Sequence, residues 1–248
     1  MNETFKQYEL LEFFKLINYD WENDLEKLEE ICKYTKTRPE IKAEKFSMGY
    51  GSEQPFLIKA IIKKIGAESF FEIGTGRGTA SYSVALEPKI KSIVTIDKIP
   101  HFFSQQTAIN YEPIKISQRG INKLIRFPEK KKIKFFHIFQ KFYIKLNYKN
   151  KFDAAFIDGN HTDVNIIKND IELCLRVLKK DGVLIFDDYE SKDVQDKKFS
   201  VGSVVDEFLK ENKDYYSYLV EFRGHIFHKE KKELRTGTMI LSPFKLTS

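Results

Sequence analysis

Short apolar runs alternate along the chain with longer stretches in which apolar residues recur every three or four positions. The short runs lie at residues 69–73, 92–97, 152–158 and 183–186, and each one ends at, or is followed by, Gly or Asp. Such runs are typical of strands that are buried on both faces. The stretches between them, such as residues 163–179, have helical spacing. Strands that alternate with helices in this way predict parallel pairing through right-handed crossovers.

The beginning of the chain has a different pattern from the rest. Residues 4–36 carry apolar side chains at helical spacing, with one interruption near Asp20. This spacing predicts helices that precede the first buried strand and cover one end of the sheet. We therefore predict two units, an N-terminal helical cap at residues 1–47 and a main α/β domain at residues 48–248.

The remaining segments complete a predicted sheet of seven strands. Residues 133–138 predict another strand between the second and third runs named above. Residues 216–222 and 236–241 predict an antiparallel pair, so the last strand of an otherwise mostly parallel sheet is reversed. Helical spacing predicts further helices at residues 55–65, 102–110, 116–127 and 202–209.

Length and composition exclude several classes of protein. The chain has 248 residues, and none of its apolar runs approaches the ~20 residues that a membrane span needs. Its N-terminus is acidic and amphipathic and lacks the apolar segment of a signal peptide. Cys32 and Cys174 are too few and too far apart for a disulfide framework or a thiolate metal site. We therefore expect a protein of the reducing cytoplasm, with no membrane partner.

The net charge of +6 is concentrated in one segment. Between Lys115 and Lys151 the chain is rich in Lys and Arg, and Glu129 is the one acidic residue. Such a segment can attract an anionic substrate or a nucleic acid, or it can be an ordinary solvated surface. No nucleic-acid-binding motif accompanies it, so we do not expect a nucleic-acid partner. A homo-oligomer remains open.

A glycine-rich turn follows the first buried strand. Gly74, Gly76 and Gly78 remove Cβ atoms from the turn, so a ligand can approach the main chain just before a helix N-terminus. A dinucleotide-binding fingerprint would need glycine at position 79, where this chain has Thr79. The second strand ends about 20 residues later in Asp97, a position suited to binding ribose hydroxyls. Taken alone, Asp97 could equally be a helix cap or a loop residue.

Three aspartates follow two neighbouring strands. Asp158 ends one strand, and Asp187 and Asp188 come directly after the next, so the three carboxylates should converge on the edge that carries the glycine turn. Converging carboxylates repel each other, and a hard cation such as Mg²⁺ would relieve the repulsion. His161 follows at the same edge and could act as a general base. The alternatives are a simple turn at Asp158, a helix cap at Asp187 and Asp188, and a hydrogen-bonded loop histidine.

The motif E-x-G-x-G-x-G, which begins at Glu72, resembles motif I of the class I S-adenosylmethionine-dependent methyltransferases. The acids and the histidine resemble the site of the metal-dependent O-methyltransferases, both of the catechol type and of the macrocin/mycinamicin sugar type. Histidine in place of lysine, and Asp-Asp in place of Asp-Asn, are closer to the sugar type. The resemblance covers roughly residues 48 to 190.

This resemblance implies an α/β fold with a Rossmann-like doubly wound sheet, and S-adenosylmethionine and Mg²⁺ as cofactors. It implies His161 and Asp158 as catalytic residues, and Asp158, Asp187 and Asp188 as metal ligands. The cofactor-binding residues that it implies are Met48, Gly49, Tyr50, Glu72, Gly74, Thr75, Gly76, Thr79, Asp97, Gln140 and Asp158.

The sequence therefore predicts a Mg²⁺-assisted O-methyltransferase that acts on a hydroxyl group of a small molecule, with a sugar or glycosylated metabolite among the candidates. Two alternatives stay open. One is a metal-independent methyltransferase acting on nitrogen or nucleic acid, although no N-P-P-Y tetrapeptide follows the fourth strand. The other is a noncatalytic module that keeps the fold for binding, although the glycines and Asp97 are intact.

Overall fold

The computed structural model describes residues 5–28, 31, 54–76, 78–98, 128–138, 142, 145–190, 200–221 and 236–247. Its strands are β1 (Lys6–Glu9), β2 (Ser69–Ile73), β3 (Ser92–Asp97), β4 (Ile133–His137), β5 (Phe152–Ile157), β6 (Leu178–Glu190), β7 (Tyr216–Glu221) and β8 (Thr236–Ser242). Its α-helices are α1 (Leu10–Leu16), α2 (Gln54–Ile65), α3 (Thr79–Ala85), α4 (Val164–Val177) and α5 (Val201–Glu211). Short 3-10 helices lie at Glu22–Asp24 and Pro128–Lys132.

The strands form one twisted sheet in the order β1-β7-β8-β6-β5-β2-β3-β4. Strands β4, β3, β2, β5 and β6 pair in parallel, and β8 is antiparallel to both of its neighbours, β6 and β7. The predicted mostly parallel sheet with a reversed last strand is confirmed. The glycine-rich turn follows β2, which lies near the middle of the sheet between β3 and β5.

The sheet has eight strands in the described part of the chain, one more than the seven predicted. Residues Lys6–Glu9, predicted to be helical, form strand β1, which pairs in parallel with β7 and places Tyr8 opposite Val220. A four-residue edge strand bonds on one side only and needs little burial, so the helical spacing of the flanking apolar residues concealed it. The helical prediction is confirmed for α1, which begins at Leu10.

Strand β6 is longer than predicted and irregular at both ends. Asp181 and Gly182 lie in a bulge inside the strand, because Leu178 pairs with Phe152 while Val183 pairs with Ala154. A second register shift, against β8, lies between Phe186 and Tyr189 and contains the predicted aspartate pair. Bulges bend a strand and redirect its side chains, which matters for the site described below.

The sheet is covered on both faces, as in a doubly wound fold. Helices α1, α2 and α3 pack on one face in a cluster that includes Phe70, Phe156 and Ile185. Helices α4 and α5 pack on the other face in a cluster that includes Phe71 and Phe186. Because successive strand residues point to opposite faces, the neighbours Phe70 and Phe71 serve different clusters. No helix in the described part of the chain is both long and apolar enough to span a membrane.

A buried ion pair attaches the N-terminal segment to the main body. The Lys59 ammonium group of α2 lies 2.7 Å from Asp24 Oδ2 and 3.5 Å from Glu87 Oε2. The Tyr19 hydroxyl also donates to Asp24 Oδ2, at 2.7 Å. The predicted boundary between residues 47 and 48, like the predicted helices at residues 102–110 and 116–127, lies outside the described residues.

Candidate active site

The glycine turn after β2 needs its glycines for different reasons. Gly74 has a φ of +93°, and a Cβ added to it would lie 1.8 Å from the carbonyl oxygen of Asp158. Gly76 has a φ of +48°, and an added Cβ would meet no atom of the described residues within 4 Å. Gly74 therefore lets the ends of β2 and β5 approach each other, while Gly76 borders open space in which a ligand can reach the main chain.

Asp97 lies directly beside this turn. It is the last residue of β3, and its Oδ2 accepts a hydrogen bond from the Gly76 N–H at 3.0 Å. The Gly74 N–H donates to the Ile96 carbonyl at 2.9 Å, which fixes the start of the turn against the same strand. The structure thus brings the predicted acid at the end of β3 and the predicted glycines into direct contact.

A polar network lies beneath the turn. The Ser81 hydroxyl of α3 donates to Glu72 Oε2, and the hydroxyl oxygens of Thr75 and Thr95 lie 2.6 Å apart. Burial raises the pKa of the Glu72 carboxyl from 4.5 to about 7, and hydrogen bonds from Ser81 and Thr95 oppose the rise. Thr79, another predicted residue, is the first residue of α3. Sequence reasoning missed Ser81 and Thr95, which belong to no recognisable motif.

The predicted acids and the predicted base form one cluster. Nδ1 of His161 lies 3.0 Å from Asp188 Oδ2, and its Nε2 lies 3.8 Å from Asp158 Oδ1. Gln54, at the start of α2, donates from Nε2 to Asp187 Oδ1. Removal from water, followed by the charges of Asp187 and Asp188, raises the pKa of Asp158 well above its ordinary value. Removal from water and the charge of Asp188 likewise raise the pKa of Asp187.

The bulge in β6 explains how two consecutive side chains serve one cluster. In a regular strand, neighbouring side chains point to opposite faces of the sheet. The register shift of β6 against β8 falls at Asp187 and Asp188, and Asp188 has a φ of +51°. This local conformation departs from the regular alternation and places Asp188 against His161 while Asp187 contacts Gln54.

Two polar side chains shape the loop that carries His161. Asn160 Oδ1 accepts hydrogen bonds from the N–H groups of Thr162 and Asp163, at 2.9 and 2.7 Å. Ser200, just before α5, donates from its N–H to the His161 carbonyl at 2.6 Å and from its hydroxyl to the Thr162 carbonyl at 2.9 Å. The loop is therefore held both locally and by a residue 39 positions later in the chain.

The geometry alone does not assign a metal. Among the described residues, no three His, Cys, Asp or Glu side chains are arranged so that they could hold a metal ion. The carboxyl groups of Asp158 and Asp187 are hydrogen-bonded to each other, and Asp188 contacts His161. Four predicted cofactor-binding residues, Met48, Gly49, Tyr50 and Gln140, lie outside the described residues. Gln54 was missed, because its contact joins positions 133 residues apart.

Comparisons with known proteins agree with this architecture. Residues 71–189 match a family model described as a methyltransferase domain. Comparison with curated protein sequences gives no match. A putative O-methyltransferase from Klebsiella pneumoniae is similar over 88% of both chains, with a TM-score of 0.58 and 14% identity. The O-methyltransferase TomG from Streptomyces achromogenes, involved in tomaymycin synthesis and solved with S-adenosylmethionine, is similar over 94% of both chains, with a TM-score of 0.57 and 17% identity.

A third solved structure has the same architecture. The O-methyltransferase from Bacillus cereus, solved with S-adenosylhomocysteine, has a TM-score of 0.55 and 14% identity, and the similarity covers 89% of this chain and 90% of that chain. The segment matched by the family model runs from β2 to the bulge of β6, so it contains the glycine turn, Asp97 and the acid cluster with His161. Residues 71–189 therefore match the methyltransferase-domain family, and the fold around them is the one that these solved O-methyltransferases share.

Proposed function

We propose that this enzyme methylates a hydroxyl group of a small molecule, with a sugar or glycosylated metabolite as the favoured substrate class, and that Mg²⁺ assists the reaction. The observation that carries the proposal is the contact between the glycine turn and the residue that begins the acid cluster. Gly74 packs on the Asp158 carbonyl, and the Asp158 side chain lies 3.8 Å from His161. A methyl donor in the turn and a hydroxyl at the cluster would therefore be neighbours. The O-methyltransferases among the similar structures support the choice of an oxygen acceptor.

The described residues suit S-adenosylmethionine, which supplies the methyl group as a sulfonium. The turn has the open main chain at Gly76 that a bound ligand can contact, and Asp97 stands beside it to accept hydrogen bonds from ribose hydroxyls. Met48, Gly49 and Tyr50 remain proposed contacts of the methionine end, and Gln140 of the adenine. TomG and the Bacillus cereus enzyme were solved with this cofactor or its demethylated product, which supports the assignment.

The chemistry of the acid cluster, rather than the present arrangement of its side chains, suits a hard divalent cation. Asp158, Asp187 and Asp188 offer only oxygen atoms, the ligand type that Mg²⁺ prefers. Removal from water and the charges of neighbouring acids raise the pKa values of Asp158 and Asp187, and a bound cation would offset that repulsion. When bound, Mg²⁺ would lower the pKa of a coordinated hydroxyl and orient it. Gln54 holds the Asp187 carboxylate from the side of α2.

His161 has the position of a general base. Its Nδ1 faces Asp188 at 3.0 Å, so Nδ1 carries the proton in the neutral ring and Nε2 is the acceptor. A base held in this way typically accelerates a reaction about 10²–10⁴-fold. The substrate hydroxyl would lose its proton to Nε2 as the oxygen attacks the methyl group.

The contact between His161 and Asp188 also favours a second candidate, a metal-independent O-methyltransferase. In that enzyme Asp188 would orient the imidazole and stabilise it once protonated, and the pair alone would activate the hydroxyl. The cofactor site and the acceptor class are the same in both candidates. They differ in whether the acids at the end of β5 and in the bulge of β6 bind a cation.

Mg²⁺ binding and turnover distinguish the two candidates. We expect Mg²⁺ to raise the midpoint of thermal unfolding of the wild-type protein and to leave that of Asp187→Asn unchanged, because a ligand that binds only the folded state stabilises it. Asp181→Asn is the matched control, since Asp181 lies in the same strand but is exposed. Turnover of S-adenosylmethionine with a panel of hydroxylated small molecules should stop when a chelator is added. Full turnover in chelator, with no thermal shift from Mg²⁺, would favour the metal-independent enzyme.

A further inference from the structure

Four polar side chains are buried under the glycine turn, where apolar residues would be expected. Glu72 and Thr75 are 1% and 3% exposed, and Ser81 and Thr95 are fully buried. They come from different elements: Glu72 from β2, Thr95 from β3, Ser81 from α3 and Thr75 from the turn itself. Burying a carboxyl group costs free energy that its hydrogen bonds offset only in part, and replacing such a buried polar network by well-packed apolar residues is often neutral or stabilising. The polarity of this cluster therefore calls for a reason other than stability.

We propose that Ser81 and Thr95 are positioning residues that hold the glycine turn in its cofactor-binding shape through Glu72 and Thr75. The inference rests on the proposed binding of S-adenosylmethionine at this turn. The Ser81 hydroxyl donates to Glu72 Oε2, and Thr95 is hydrogen-bonded both to Glu72 and to Thr75, with a distance of 2.6 Å to the Thr75 hydroxyl. A continuous chain of hydrogen bonds thus runs from α3 through β2 and β3 into the turn.

The turn needs such support because its three glycines do little to restrict the backbone. Gly74, Gly76 and Gly78 all have positive φ angles, and glycine loses more conformational freedom than any other residue when it is fixed. The Gly76 N–H is fixed by Asp97, and the network fixes the adjacent Thr75 from below. A turn that is already fixed loses less freedom when the ligand binds, so the network should increase affinity for the cofactor.

Helix α3 offers a matched pair of serines for the test. Ser81 and Ser83 are both fully buried, but the Ser83 hydroxyl donates to the Ala80 carbonyl of its own helix, at 2.7 Å. We expect Ser81→Ala to weaken the binding of S-adenosylhomocysteine about tenfold, since it removes a hydrogen bond to a carboxyl group. Ser83→Ala should bind within about twofold of the wild type. Isothermal titration calorimetry on the full chain measures both.

The sheet offers a matched pair of threonines. Thr95 and Thr238 are both fully buried in strands, and within the described residues the Thr238 hydroxyl has no hydrogen-bond partner. Thr95→Val should weaken binding about tenfold, while Thr238→Val should leave it unchanged. Thr95→Ser keeps the hydroxyl and loses only a methyl group, so it should restore most of the affinity. A role in packing predicts the opposite order, because valine fills the site and serine leaves a cavity.

The outcomes separate this inference from the proposed function. Weaker binding in Ser81→Ala and Thr95→Val, with recovery in Thr95→Ser, supports the positioning role. Binding equal to that of Ser83→Ala and Thr238→Val overturns it, as does a serine variant that binds more weakly than the valine variant. If the wild-type protein itself fails to bind S-adenosylhomocysteine, the proposed cofactor site is wrong, and the inference is overturned with it.

Discussion

Replacing Glu72 with Gln should change how the stability of the protein depends on pH. Glu72 is 1% exposed, and burial raises its pKa from 4.5 to about 7. The folded protein therefore binds the Glu72 proton more tightly than the unfolded chain does. This proton contributes stability that is fully present below pH 4.5 and is lost as the pH rises through about 7. Glutamine has a similar shape and can still accept the Ser81 hydrogen bond, but it does not titrate.

The size of the effect follows from the pKa difference. Each pKa unit corresponds to about 1.4 kcal/mol, so the shift of Glu72 corresponds to about 3 kcal/mol of unfolding free energy. Relative to Glu72→Gln, the wild type should lose about this amount as the pH rises from below 4.5 to above about 7. Asp158 and Asp187 also have raised pKa values, and both proteins keep these residues, so their contribution cancels in the difference except for the part of the Asp158 shift that the Glu72 charge causes.

Urea denaturation at a series of pH values measures this difference directly. Glu68→Gln is the control, because Glu68 forms an exposed ion pair with Lys91 and its removal should matter little at any pH. If the unfolding free energies of the wild type and Glu72→Gln run parallel from acid to neutral pH, then Glu72 has an ordinary pKa in the folded state. The description of a tightly buried carboxyl beneath the turn would then be wrong.

Four further predictions test other parts of the structure. Gly74→Ala should fail to fold, as seen by circular dichroism, because its Cβ would lie 1.8 Å from a backbone oxygen; a native spectrum would contradict the close approach of β2 and β5. Gly76→Ala should fold and lose about 1–2 kcal/mol to its φ of +48°. Lys59→Met should lower the free energy of unfolding by about 3 kcal/mol, because it leaves buried carboxylates unpaired, whereas the exposed Lys91→Met should change it by less than about 1 kcal/mol. His161→Ala should reduce turnover at least ~10²-fold without weakening S-adenosylhomocysteine binding, and a loss of affinity would argue against its role as a base.

The strands at the centre of the sheet could be predicted closely from the sequence. The runs at residues 69–73 and 92–97 match β2 and β3 residue for residue, because each is apolar and is stopped by Gly or Asp. Edge strand β1 could not be predicted in this way, since its two exposed residues, Lys6 and Gln7, give no alternating pattern. The bulges of β6 are also invisible in the sequence, because the register of one strand depends on its partners.

The residues of the candidate site likewise divide into those that the sequence predicts and those that it does not. Asp97, Asp158 and His161 could be found because a parallel sheet places all of its strand ends on one edge, whatever the helices do. Gln54 and Ser81 could not, because their contacts depend on where α2 and α3 pack against the sheet. The hydrophobic pattern of the sequence predicts the topology of the sheet, whereas the position of each helix depends on how its surface packs against the sheet.

The position of strand β8 in the sheet has a consequence for folding during synthesis. It lies between β6 and β7, and the β6 bulge that carries Asp187 and Asp188 is defined by pairing with β8. Among the described strands β8 is synthesised last, so a nascent chain can contain all three acids and His161 before β6 has its partner β8. Residues 236–242 are therefore the last of the described strands to enter the sheet, and β6 acquires its register shift against β8 only then.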